Sequence, residues 1–202
     1  MVRDGTVVVL HGLGRTSFSM RKVDRLLENT GWQVLRIGYP SLSAKVEELV
    51  AGLLTELPSD GKLHFVGHSL GGVLAKHLML ALPAERRGRI VQLGSPNFGS
   101  ELAERFELLH PVMGPALREL KPQDGIDDDG LEIGAIAGTA AHELYGHVTG
   151  IEGENDGKVS VVSAWGNAPE GKRLKLPVSH SMMMQKDNVI EAVEQFLLTG
   201  RF

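Results

Sequence analysis

Short runs rich in apolar and β-branched residues alternate along the chain with longer stretches in which apolar positions recur every three or four residues. Thr6 to Leu10, Gln33 to Ile37, Leu63 to Val66, Ile90 to Leu93, Ile133 to Ala137 and Arg173 to Leu176 read as strands. Four stretches between or after them carry helical spacing. Met20 to Leu27 is stopped at Gly31, and Val46 to Leu57 ends at Pro58. Leu70 to Leu82 is closed by Pro83, and Val189 to Leu198 comes last. The rhythm breaks after residue 95, where Pro96, Pro111, Pro115 and Pro122 interrupt the chain before the acidic turn Asp124 to Gly130. Repeated strand–helix units predict an α/β protein: a mostly parallel central sheet of about six strands, helices on both faces and a small insertion after the fourth strand. One domain over residues 1–202 is expected, with 97–130 as a lid-like or cap-like insertion.

Composition narrows the function. With 202 residues, a formal charge of −4 and no long basic run, the chain does not look like a nucleic-acid binder. Cysteine is absent, which excludes disulfides, thiolate metal sites and cysteine nucleophiles. The apolar run near the N-terminus, Thr6 to Leu10, is too short for a signal peptide or a membrane span, so a protein made without export and a cytoplasmic site are expected.

Between the third strand and third helix lies Gly67-His68-Ser69-Leu70-Gly71, a match to G-x-S-x-G. Chance supplies about 0.2 such matches at this glycine content, so placement carries the weight. A serine on a sharp strand-to-helix turn projects its hydroxyl above the sheet, and the helix N-terminus beside it favours developing negative charge. A serine hydroxyl needs a base, and the base an acid that orients it. Of the histidines downstream of that helix, His110, His142, His147 and His180, His180 alone directly follows a predicted strand, at the edge where Ser69 sits. Asp156, in a loop before the last strand, is the preferred acid over the Asp127-Asp128-Asp129 run, which reads as a solvated turn. His11-Gly12-Leu13-Gly14, after the first strand, places the Leu13 N–H to act with that of Leu70 as an oxyanion hole. His11 and His68 are expected as structural hydrogen-bonders or as residues lining the mouth, and together with Met182 they are the candidate substrate contacts.

On these residues the chain resembles the α/β-hydrolase superfamily, and within it small bacterial lipases and esterases. Val9 to Leu13 is similar to the lipase oxyanion loop, Gly67 to Gly72 to the nucleophile elbow, and Gly94 to Ser100 to the segment after the following strand. Asn155 to Val159 and Val178 to His180 are similar to the acid and histidine loops. The resemblance implies a minimal version of that fold lacking the usual first two strands, and a lid more modest than in many lipases.

The expected reaction is hydrolysis of a carboxylic ester by Ser69, His180 and Asp156 through an acyl-enzyme, with no cofactor and no metal. The expected partner is a small-molecule apolar acyl ester, and transient contact with a lipid surface is allowed for. Leu102, Phe106, Leu108, Leu109, Val112 and Met113 of the insertion, with Met182-Met183-Met184, are candidates for an acyl groove or, more simply, for core. A thioesterase or acyltransferase on the same triad, or a non-catalytic binding protein of this fold, is the alternative. Three other motifs fail. Gly12 to Ser17 lacks the third glycine of a dinucleotide loop. His142 to His147 is one residue too long for a zinc-protease helix, and Asp124 to Gly130 lacks the third-position acid of a calcium loop.

Overall fold

The computed structural model describes residues 3–98, 114–116, 130–141 and 151–202. Six strands form one sheet: β1 (Thr6–Leu10), β2 (Gln33–Ile37), β3 (Leu63–His68), β4 (Arg87–Leu93), β5 (Glu132–Gly138) and β6 (Arg173–Leu176). Every strand pair is parallel, in the order β2-β1-β3-β4-β5-β6. The helices are α1 (Arg21–Asn29), α2 (Val46–Glu56), α3 (Leu70–Ala81), the short α4 (Val161–Trp165) and α5 (Asp187–Thr199). The strands and four longer helices agree with the periodicity to within a few residues. The five residues of α4 are too few to show a period, and the 3₁₀ turns at Ser17–Met20 and His180–Gln185 likewise leave no apolar signature. The insertion at 97–130, including its proline-rich and acidic stretches, lies largely outside the described residues.

Alternation along each strand divides the core in two. Val7 and Val9 of β1 point to the face that α1 and α5 cover with Val23, Leu27, Val189, Val193 and Phe196. Val8 and Leu10 point to the opposite face, against Leu49 and Leu53 of α2 and Leu74, Leu78 and Met79 of α3. The assignment of helices to faces follows from the strand order. The chain passes outward from β1 to β2 and then back across β1 to β3, and right-handed crossovers running in opposite directions put α1 and α2 on opposite faces. This reversal opens a crevice at the carboxyl ends of β1 and β3.

At the far end of the sheet β4 carries one extra residue against β3. Leu63 is opposite Arg87, but Phe65 is opposite Ile90. His64 repairs the interrupted ladder: its Nδ1 accepts the Arg89 N–H at 3.0 Å, and Nε2–H donates to the Asp4 carbonyl at 3.3 Å. Burial pushes the His64 pKa down to about 4, and an imidazole protonated at Nδ1 no longer accepts from Arg89.

The unfolded chain therefore takes up a proton at His64 near its ordinary pKa of 6.5, before the folded protein does. Folding stability should fall as pH drops from about 6.5 towards 4, by on the order of 3 kcal/mol from this residue. Burial lowers the pKa of His11 and His68 as well and adds to the same slope. Urea unfolding at pH 7 and pH 4.5 measures the loss, and His64→Gln should flatten it.

Candidate active site

Parallel pairing brings the carboxyl ends of all six strands to one rim, so loops distant in sequence meet there. Ser69 leaves β3 with φ 55° and ψ −121°, and among the described residues it is the one non-glycine with positive φ. Such a backbone costs roughly 1–3 kcal/mol and persists where its surroundings leave no alternative. Those surroundings are close-packed main chain. A Cβ on Gly67 would fall closer than 3.0 Å to the backbone of Gly71 and Gly72, and one on Gly71 would meet Leu10 O at 2.5 Å and His11 O at 2.6 Å. The turn is pinned further by Ser69 N–H donating to Leu93 O at 2.9 Å and Gly72 N–H to Ser69 O at 3.0 Å. Gln92, buried in β4, clamps the start of α3 by donating from Nε2 to Gly72 O at 2.9 Å.

The loop after β1 lies beside this turn. A Cβ on Gly12 would meet the His68 ring at 2.8 Å and Ser69 Cβ at 3.2 Å. Gly14 N–H donates to Ser41 Oγ at 3.1 Å and Arg15 N–H to Gly12 O at 3.2 Å. Leu13 N–H has no acceptor among the described residues. Leu70 is the first residue of α3, where an N–H has no intrahelical acceptor. Both expected oxyanion donors therefore stand unspent at the rim.

Asp156 and His180 form a buried pair, 2% and 4% exposed. His180 Nδ1 lies 2.7 Å from Asp156 Oδ2. Asp156 Oδ1 accepts the N–H groups of Lys158 at 2.9 Å and Val159 at 2.8 Å, while His180 N–H donates to Asp156 O at 2.9 Å. With Nδ1–H donated to the carboxylate, the lone pair of His180 is on Nε2. Two glycines make room beneath the pair. A Cβ on Gly94 would reach Asp156 Oδ2 at 2.9 Å and His180 Nδ1 at 3.1 Å, and one on Gly138 would reach Asp156 Cβ at 2.8 Å. The thioether of Met183 packs against both.

His68 joins the two halves. Its Nε2–H donates to His180 O at 2.9 Å and its ring lies 4.7 Å from the His180 ring, centroid to centroid. Burial, and then the neighbouring His180, hold the His68 pKa well below its ordinary value, so the ring stays neutral. His11 stacks on Tyr39 at 4.1 Å, bonds Gly12 O at 2.9 Å through Nδ1, and accepts the Tyr39 N–H through Nε2 at 3.3 Å. The Tyr39 hydroxyl donates to His11 O. Both histidines are 1% exposed and turned into the protein. Each ring hydrogen-bonds main-chain groups, as a structural hydrogen-bonder does.

Met182 is 44% exposed beside the rim, whereas Met183 and Met184 are fully buried, so the three-methionine run is divided between surface and core. Ser69 and the His180 ring are not hydrogen-bonded to each other in this arrangement; they are linked through His68, which precedes Ser69 in the chain. The competing candidates Asp127 to Asp129, His110, His142 and His147 lie outside the described residues. Sequence reasoning missed Tyr39, Gly94 and Gly138 as supports of the site. Gly94 and Gly138 directly follow the carboxyl ends of predicted strands and Tyr39 stands two residues beyond one, and that position was the available signal. Among the described residues no three His, Asp or Glu side chains gather as a metal site, and no helix is long and apolar enough to cross a membrane.

No protein-family model matches the chain, and no curated protein sequence does. Solved structures do. The mature form of the Bacillus licheniformis lipase BlEst2 matches with a TM-score of 0.78 at 17% identity, over 96% of this chain and 92% of that one. A metagenomic carboxyl esterase matches with a TM-score of 0.74 at 19% identity, over 97% of this chain and 76% of that one. A pyrethroid hydrolase from Sphingobium faniae matches with a TM-score of 0.64 at 15% identity, over 96% and 98%. The fold is thus a minimal α/β-hydrolase fold, and the structure resembles small bacterial lipases and esterases.

Gly94→Ala should force a methyl group against the Asp156–His180 hydrogen bond on a backbone whose φ is +57°. The expected outcome is a stability loss of about 1–3 kcal/mol and disappearance of the downfield imidazole N–H proton resonance. Urea titration and proton NMR check the two effects.

Proposed function

We propose that the protein is a serine hydrolase of carboxylic esters, with Ser69 as nucleophile, His180 as general base and acid, and Asp156 as the group that orients and stabilises the imidazolium. The observation that carries this reading is the 2.7 Å Asp156–His180 hydrogen bond, buried at the same rim as the strained Ser69 backbone. A carboxylate that fixes Nδ1–H aims the Nε2 lone pair outward as a base. The solved lipase and esterases of the same fold support it further.

In the first half-reaction His180 Nε2 takes the Ser69 proton as Oγ attacks the ester carbonyl. The carbonyl oxygen becomes negative and accepts the N–H groups of Leu13 and Leu70. Collapse of the tetrahedral species breaks the bond to the alcohol oxygen, which leaves with the proton from His180, and the acyl group remains on Ser69. Water then repeats the sequence: His180 takes its proton, its oxygen attacks the acyl carbon, and the carboxylic acid departs as Ser69 Oγ is reprotonated. The contact between Oγ and Nε2 closes in the substrate complex, where catalytic hydrogen bonds commonly tighten.

The substrate is a small ester with an apolar acyl group of short to medium length. Exposed Met182 stands two residues beyond the base, and Leu42, 45% exposed, lies near Gly14 of the oxyanion loop. Both offer apolar surface to a bound chain.

A fluorophosphonate probe should form one covalent adduct, identified by mass spectrometry at Ser69 and absent from Ser69→Ala. Asp156→Asn should lower kcat/KM for nitrophenyl butanoate by about 10³-fold or more, because the imidazole loses the acceptor that sets its tautomer. Retained labelling in Ser69→Ala, or near-normal turnover in Asp156→Asn, overturns the assignment.

A further inference from the structure

At the amino ends of the strands, on the rim opposite Ser69, lies a cavity of about 240 Å³. The length of β3 (Leu63–His68) separates it from that residue, roughly 17–20 Å of extended chain. Four of the side chains lining it are cations, Arg3, Lys62, Arg87 and Arg89, and two are carboxylates, Asp4 and Glu132. His64, in the same wall, is neutral at pH 7, since burial pushes its pKa down to about 4. Four cations less two carboxylates leave the lining with a charge of +2, in a chain whose total is −4. Both carboxylates face water, Asp4 with 86% and Glu132 with 50% of the side chain exposed. Their pairs with Lys62 at 3.5 Å and Arg89 at 3.0 Å are exposed pairs of the kind that contribute little. Arg3 stands 3.7 Å from Glu194, which is not part of the lining.

Three guanidinium groups are fixed by carbonyls at helix ends. Arg3 donates to Thr30 O after α1 at 3.2 Å, Arg87 to Leu80 O and Leu82 O at the end of α3 at 2.9 Å each, and Arg89 to Leu197 O of α5 at 2.7 Å. A planar fork already held in place loses little further freedom when it grips an oxyanion. Arg87 is the open one. Its two carbonyl partners take N–H groups from Nε and Nη2; among the described residues Nη1 has no acceptor and the guanidinium no carboxylate.

Trp32 supplies a second unspent donor in the same lining. It is 6% exposed, its ring lies edge-on to His64 at 5.2 Å, and its indole Nε1–H is buried with no acceptor among the described residues. Native interiors rarely leave such a donor unpaired. The indole, Leu197 and Leu198 also make part of the lining apolar.

We propose that this cavity binds a small organic oxyanion, a carboxylate or phosphate joined to an apolar group. Arg87 and the neighbouring cations meet the charge, the Trp32 indole N–H is a further donor, and Leu197 and Leu198 face the apolar part. The site is separate from the Ser69 rim and does not rest on the hydrolase reading.

Benzoate and phenyl phosphate distinguish the two oxyanions, and benzamide is the uncharged match of benzoate in size and shape. Each is titrated into the nitrogen-15-labelled full chain while NMR follows the indole N–H resonances of Trp32 and Trp165, assigned with Trp165→Phe. Trp165 donates to Leu174 O at 3.1 Å and is the internal reference. At low ionic strength at least one anion should shift the Trp32 resonance saturably, with a millimolar or lower Kd, and leave that of Trp165 in place. It should bind about tenfold or more tightly than benzamide. Arg87→Gln and Leu198→Glu should each weaken it by about tenfold. Leu198 is 40% exposed, and its replacement adds a carboxylate to the lining without touching the helix-end bonds of Arg87, so it decides the matter should Arg87→Gln fail to fold. A Trp32 resonance that neither anion moves, benzamide binding as tightly as the anions, or an affinity unchanged in Leu198→Glu overturns the proposal.

Discussion

The strained backbone of Ser69 is the constraint on which the rim depends. A non-glycine residue adopts this conformation only where every relaxed alternative collides with something, and here the obstacles are main-chain atoms. Gly67 and Gly71 let β3, α3 and β1 approach so closely that the turn between them has one shape. The side chain is then presented from the top of the sheet by geometry alone, with no hydrogen bond from its own hydroxyl needed to hold it. The same close approach fixes the loop at Gly12 against the turn, so the loop after β1 is positioned by the Ser69 turn rather than independently of it.

The Asp156–His180 pair is built on a different principle. Asp156 is secured by backbone donors from its own loop, and His180 is secured twice, through its ring to Asp156 and through its carbonyl to His68. Neutrality of His68 matters to this arrangement, because a charged ring there would compete with His180 for the single carboxylate. Burial is the largest cause of that neutrality. The stack of His11 on Tyr39 does similar work on the opposite side of the crevice, where an uncharged ring props the loop carrying Leu13.

Most of the sheet and its longer helices could be read from the sequence because they rest on repeated local signals. Apolar runs such as Val7 to Leu10 and the spaced Leu49, Leu53, Leu74 and Leu78 bury one face against a large neighbour. The positions of Ser69, Asp156 and His180 were readable because each follows from strand order and loop chemistry. What escaped depends on tertiary proximity. The bulge at Gly88 and Arg89 is defined by a residue on the neighbouring strand, and the need for glycine at 94 and 138 arises from side chains that arrive from loops far along the chain. His68 shows the same limit, since nothing in Gly67-His68-Ser69 tells whether its ring faces the substrate or the carbonyl of His180.

Gly94 and Gly138 lie against the buried Asp156–His180 pair, while Leu42 and Met182 are exposed on loops of their own. Natural selection therefore meets two very different permissions in one small molecule. Descendants can rewrite the exposed residues one at a time and leave the buried pair as it is. The two glycines admit no such drift, so lineages carrying this scaffold should diversify from the outside in.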